Sequence, residues 1–143
     1  MTEFRESVTI AADAADVARV ILDVERWPSW TASMTSVRRH GTGPLAVGEQ
    51  VTVKQPRLPV GVWTVTALDG TGFRWTSSGP GIHSTGEHWV TDEGDGRSTT
   101  TLALVMTGPM AGVTGALFGR LIRRYVRMEA AGLRRAVGSG PPA

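Results

Sequence analysis

Cysteine is absent from the 143 residues, and that excludes disulfides, thiolate chemistry and cysteine-ligated zinc or iron–sulfur centres. Lysine is nearly absent as well. Lys54 is the single one among 15 basic residues, so no glycine-rich phosphate loop closing on a lysine can be drawn. No apolar run reaches the roughly 18 residues that a membrane-spanning helix needs. The opening MTEFRESVTI carries neither the charged nor the apolar region of a secretory leader, and a cytoplasmic location is expected. Net charge is small too. The 15 basic and 13 acidic residues leave a net charge of +2, which argues against nucleic acid as the main partner. No serine sits in a nucleophile elbow, and no Ser/His/Asp order has local support.

What remains is a chain with 41% hydrophobic residues, enough for a packed core and some interior volume beside it. Five of its nine aromatic residues are tryptophan. Each can bury about 150–250 Å², so they suit a small core or the wall of an apolar cavity.

Phe4, Glu6, Val8 and Ile10 alternate with polar neighbours over Glu3–Ala11, the period of a half-buried strand. Asp13 reads as an N-cap, with Asp16 three residues on completing a capping-box-like start. Val17, Val20, Ile21 and Val24 then recur at helical spacing until Pro28, with Trp27 and Trp30 anchoring the turn. Six further strands are expected at Met34–His40, Glu49–Gln55, Val60–Leu68, Phe73–Ser77, Ile82–Thr91 and Arg97–Thr107, separated by Gly- and Pro-rich turns. A three-residue hairpin loop over Gly70–Gly72, with Gly72 left-handed, puts Trp63 and Trp75 on one face, whereas a two-residue loop separates them.

A long helix is expected from Pro109 to about Val137. Its apolar face reads Met110, Thr114, Leu117, Phe118, Leu121, Ile122, Tyr125 and Met128, opposite Arg120, Arg123, Arg127 and Arg134. Gly115 and Gly119 suit close approach of a strand. Six consecutive strands joined by tight turns form an antiparallel sheet, and the one buried face of the sheet matches the one buried face of the helix. One α+β domain over residues 1–137 is expected, with 138–143 (GSGPPA) a disordered tail.

This order, with the stretches Asp23–Trp30 (DVERWPSW), Val60–Thr66 (VGVWTVT), Phe73–Trp75 (FRW), Gly86–Val90 (GEHWV) and Thr107–Ala111 (TGPMA), resembles the START/Bet v 1-like superfamily and, within it, the bacterial polyketide cyclase/dehydrase-type proteins. The resemblance implies a helix-grip fold: a curved antiparallel sheet of about seven strands around a long C-terminal helix, with an apolar cavity between them. It also places the His88 position inward.

Three histidines are candidates for chemistry. His40 sits among Arg38, Arg39 and Gly41 at a strand end and reads as a surface residue. His83 and His88 are five apart on one strand, so they face opposite sides and cannot easily share a metal. No metal and no cofactor are expected. Trp89 pulls the other way, but the Ile82, Ser84, Gly86, His88, Val90 face starts and ends apolar and is assigned to the concave side. His88 is then a core histidine bonded to backbone or to Tyr125, a group that orients a ligand, or a general base. Tyr125 similarly holds a ligand carbonyl, acts as a weak acid or satisfies a core contact.

Trp30, Trp63 and Trp75 form a candidate aromatic wall, completed by Val53, Gln55, Met106, Leu117, Phe118 and Leu121. Binding of a small hydrophobic molecule, polyketide-like, aromatic or lipid, is the expected function. A polyketide cyclase/dehydratase in which His88 or Tyr125 assists enolisation or water loss is the alternative. The arginine stripe is a solvated face or meets an acidic acyl-carrier-type partner or an anionic membrane surface, and a homodimer is the other assembly considered.

Overall fold

The computed structural model describes residues 1–138; the expected 139–143 portion of the tail lies outside them. The elements run β1 (Thr2–Ile10), α1 (Ala14–Leu22), a 3-10 helix (Val24–Ser29), β2 (Ser36–Arg39), β3 (Gln50–Lys54), β4 (Gly61–Asp69), β5 (Gly72–Gly79), β6 (Ile82–Gly94), β7 (Arg97–Thr107) and α2 (Ala111–Gly138). The seven strands form one antiparallel sheet in the order β1-β7-β6-β5-β4-β3-β2. The meander β2–β7 is thus completed by β1 pairing with β7 at the far edge. This is the helix-grip fold: a curved sheet closed by a long C-terminal helix.

The first helix is shorter than its sequence pattern. Asp13 stands at the N-cap, but its side chain makes no cap bond; Asp16 pairs with Arg19 instead of reaching back. Only the Asp13 carbonyl receives Asp16 and Val17 N–H groups. After Leu22 the chain tightens into the 3-10 turn, which holds Pro28 inside it. Trp27 is fully buried there and donates Nε1–H to the Ile21 carbonyl at 3.0 Å. Arg39 fastens the edge of the sheet, gripping the Glu49 carboxylate with two bonds of 2.7 Å, while its own backbone N–H reaches Glu25.

The β4–β5 connection differs from the expected loop in an instructive way. Asp69 pairs with Gly72, so the loop has two residues, Gly70 and Thr71. Taken alone, that register would put Trp63 and Trp75 on opposite faces. A bulge between Val65 and Ala67 adds one residue to β4 and shifts the pairing back, so that Val65 opposes Trp75. The two indoles therefore share the concave face, with ring centroids 5.6 Å apart. Gly72 does take a positive φ, at 147° rather than the left-handed helical value.

The closing helix is rotated relative to the expected face. Its buried side is Ala111, Ile122, Tyr125, Val126, Glu129, Ala130, Gly132 and Leu133. Leu117 is 73% exposed and Met110 43% exposed. The phase is set where the backbone must come close. A Cβ on Gly132 would lie 2.1 Å from the Trp30 carbonyl oxygen, and one on Gly115 would lie 3.0 Å from Thr2. The arginines 120, 123, 127 and 134 face solvent, as the stripe predicts.

Candidate functional site

Two apolar clusters flank the interior. One gathers α1, the 3-10 helix and the β3–β5 side of the sheet. The other joins β1, β7 and α2. Between helix and sheet lies a cavity of about 700 Å³, within the range of small-molecule sites. Its walls come from Val53 and Gln55 of β3, Trp63 of β4, Trp75 of β5, Ser84, Gly86 and His88 of β6, Leu102 and Met106 of β7, and Phe118, Ile122, Tyr125, Val126 and Glu129 of α2. Val60, Val62 and Phe118 line it while remaining exposed, which marks the mouth.

Glycine shapes the wall. A Cβ on Gly86 would stand 2.6 Å from Trp75 Nε1, so the bare backbone there is what lets the indole lie along β6. Gly61 serves Trp63 in the same manner, at 3.0 Å. The rim is pinned from two sides. Tyr125 Oη–H donates to the Pro56 carbonyl, and Lys54 Nζ donates to the Gln55 carbonyl at 3.1 Å and to the Leu58 carbonyl. The segment between β3 and β4 is thereby held over the cavity end, presenting Leu58, Pro59 and Val60.

His88 is buried on the concave face, stacked on Phe73 at 4.5 Å and edge-on to Trp27 and Trp75 at 5.1 and 5.5 Å. Burial among aromatic rings drives its pKa down to about 3, against a smaller upward pull from the Phe73 backbone. The ring is thus neutral at pH 7, and its Nδ1 has no protein partner. Tyr125 bonds to Pro56 and not to His88. His83 lies on the outer face against Ser78, and His40 is exposed against Thr52.

Of the residues expected in the wall, Val53, Gln55, Trp63, Trp75, His88, Met106, Phe118 and Tyr125 line the cavity. Three lie elsewhere. Trp30 packs on Trp27 at 5.6 Å and against Gly132, sealing the helix end. Leu117 and Leu121 are turned away by the rotation of α2, Leu117 into solvent.

The residue that sequence reading overlooked is Glu129. It is buried, lines the cavity and accepts a hydrogen bond from Ser33 Oγ–H at 3.2 Å on Oε2. Ser33 Oγ lies 2.7 Å from Thr31 Oγ1. Burial with no cation beside it raises the Glu129 pKa to about 7, opposed only in part by the Ser33 bond. A carboxylate on a helix is ordinarily assigned to solvent. The available signal was its position four residues after Tyr125 and seven after Ile122, on the buried stripe.

A curved sheet, a long helix and a mainly apolar space between them, open at one rim, define a helix-grip cavity protein. The chain belongs to the family described as "Polyketide cyclase / dehydrase and lipid transport", whose profile matches residues 1–138. No curated protein sequence matches it. Among solved structures it is similar to a protein from Thermus thermophilus, at 19% identity with 99% of this chain and 100% of that one covered and a TM-score of 0.77. It is similar to a START superfamily protein from Mycobacterium smegmatis, at 14% identity over 96% of this chain and 97% of that one, TM-score 0.76. It is also similar to the ZhuI aromatase/cyclase from Streptomyces sp. R1128, at 19% identity over 96% and 92%, TM-score 0.68. At these identities the likeness concerns the fold. No helix among the described residues is long and apolar enough to cross a membrane.

Proposed function

We propose that the protein binds a small hydrophobic molecule, with flat or polycyclic character, in the cavity between sheet and α2. The observation that carries this reading is the cavity itself: about 700 Å³ walled by Trp63, Trp75, Met106 and Ile122, with only a few polar groups. Burying apolar ligand surface there is worth roughly 25 cal/mol per Å² before the costs of association. Two adjacent indoles offer a face for a ring. The family description, which names both cyclases and lipid transport, supports the same ligand class.

Binding is favoured over cyclisation or dehydration by the state of the two candidate catalytic groups. A histidine whose conjugate acid has a pKa of about 3 is a weak base, and base catalysis works best with a pKa near the operating pH. The Tyr125 hydroxyl is already donated to the Pro56 carbonyl. His88 and the indoles act in this reading as wall and orienting groups.

Native mass spectrometry of gently purified protein tests the reading, with ligand release on denaturation. A bound apolar molecule of a few hundred daltons is the expected outcome. A wholly unliganded protein that also fails to take up naphthalene-sized probes would overturn it. Incubation with reactive poly-carbonyl chains separates the enzymatic alternative. Wild type and His88→Ala should both return the product distribution of the protein-free control.

A further inference from the structure

The ligand cavity has an acid at its inner wall, held by a short chain of hydroxyls. Ser33 N–H donates to Thr31 Oγ1 at 3.3 Å, Thr31 and Ser33 hydroxyls are 2.7 Å apart, and Ser33 Oγ–H donates to Glu129 Oε2 at 3.2 Å. When the Ser33 proton goes to Glu129, the Thr31 proton goes to Ser33 Oγ. Oε2 is then an acceptor. In that arrangement a neutral Glu129 carries its proton on Oε1, the oxygen for which no protein hydrogen bond is found among the described residues; the reverse chain, Oε2–H to Ser33 Oγ and Ser33 to Thr31, would leave Oε1 an acceptor and give no preference for a carbonyl ligand.

Ionised Glu129 would be a buried anion with one hydroxyl contact and no cation. That is expensive, and such groups neutralise instead. No lysine, arginine or aspartate lines the cavity on any element packed against Glu129. The other titratable side chains on its walls are His88 of β6 and Tyr125, one turn earlier on α2. The raised pKa of about 7 agrees with this geometry.

We propose that Glu129, oriented by Ser33 and Thr31, is the cavity's carboxylic-acid donor and selects hydrophobic ligands that present a neutral carbonyl oxygen to α2. The inference rests on the ligand-binding reading above and adds to it the polar group that the ligand must carry and the residue that reads it. An apolar ligand of equal shape leaves the Glu129 proton without an acceptor, and a buried unpaired donor is penalised.

The test uses two probes of matched shape, 2-acetylnaphthalene and 2-ethylnaphthalene, titrated by calorimetry or tryptophan fluorescence at about pH 5.5 and pH 8.5. Wild type should bind the acetyl probe about tenfold more tightly at the lower pH, the worth of one hydrogen bond, and lose most of that preference at the higher pH. His88 is neutral at both values, so the change reports Glu129. Glu129→Gln keeps a donor at the same place and should keep the preference at both pH values. Glu129→Leu should bind both probes without preference. Equal binding of the probes by wild type at both pH values, or a preference that survives in Glu129→Leu, would overturn the proposal alone. Tighter binding of 2-naphthylmethylammonium than of either probe at pH 8.5, lost in Glu129→Gln, would overturn it by making the carboxylate a counter-ion. Binding of no probe at all by wild type would overturn the cavity reading and this proposal with it.

Discussion

Glu129 and His88 titrate in opposite directions on folding, and their removal one at a time should reveal slopes that wild type conceals. The Glu129 pKa is raised from an ordinary 4.5 to about 7. Between those values the native state holds more protons than the unfolded chain, so stability falls as pH rises. The His88 pKa is lowered from an ordinary 6.5 to about 3. Between those values the unfolded chain holds more protons, so stability rises with pH and is lost as pH falls. Each group contributes about 1.4 kcal/mol per pH unit inside its window. The windows overlap from 4.5 to 6.5, where the two slopes cancel and wild type should be nearly flat. The carboxyls of Glu49 and Asp69 are held low by hydrogen bonds from Arg39 and Thr71, so their influence falls below this range. In Glu129→Gln only the histidine slope remains. Its stability should climb by about 2 kcal/mol between pH 5.0 and 6.5 and exceed wild type at pH 8 by up to about 3 kcal/mol. His88→Phe keeps the aromatic stack and should instead lose stability with rising pH. Urea unfolding followed by tryptophan fluorescence at closely spaced pH values measures this. A Glu129→Gln profile parallel to wild type across the range would show that Glu129 does not titrate between these values.

Gly132→Ala should destabilise by roughly 2 kcal/mol despite alanine's better helix propensity, because its Cβ would meet the Trp30 carbonyl at 2.1 Å; thermal unfolding decides the sign. Tyr125→Phe removes the bond to the Pro56 carbonyl and should cost about 1 kcal/mol, with faster amide exchange at Arg57, Leu58 and Val60. Leu117→Ser should lie within about 0.5 kcal/mol of wild type, whereas Ile122→Ser should cost more than about 2 kcal/mol, and equal effects would contradict the observed phase of α2.

Most of the fold was legible because each strand carries its own alternation and each turn its own glycine or proline. Arg97–Thr107 was read to the residue, and the other six strands to within about three residues at each end. The antiparallel neighbours within β2–β7 follow from their connections, whereas the pairing of β1 with β7 is set only in the folded sheet. The loop at Gly70 was not legible. Its two residues and the bulge between Val65 and Ala67 offset each other, and only the pairing across strands reveals both. The phase of α2 was misread for a related reason. Counting apolar residues selects Leu117 and Leu121, but close backbone contacts at Gly115 and Gly132 rotate the helix toward Ile122, Val126 and Glu129. A glycine leaves no hydrophobic signal at the point where it decides packing. The aromatic wall was half visible for the same cause. Trp63 and Trp75 belong to it through Gly61 and Gly86, while Trp30 is drawn to the bare backbone of Gly132.

In the proposed function, the space beside Trp63 and Trp75 receives a ligand. The indole N–H resonances of 15N-labelled protein, followed as 2-ethylnaphthalene is added, test it most directly. The Trp63 and Trp75 signals should move and saturate together, while that of Trp27, tied to the Ile21 carbonyl, stays nearly fixed. Signals from Trp63 and Trp75 that do not move at saturating probe would contradict it.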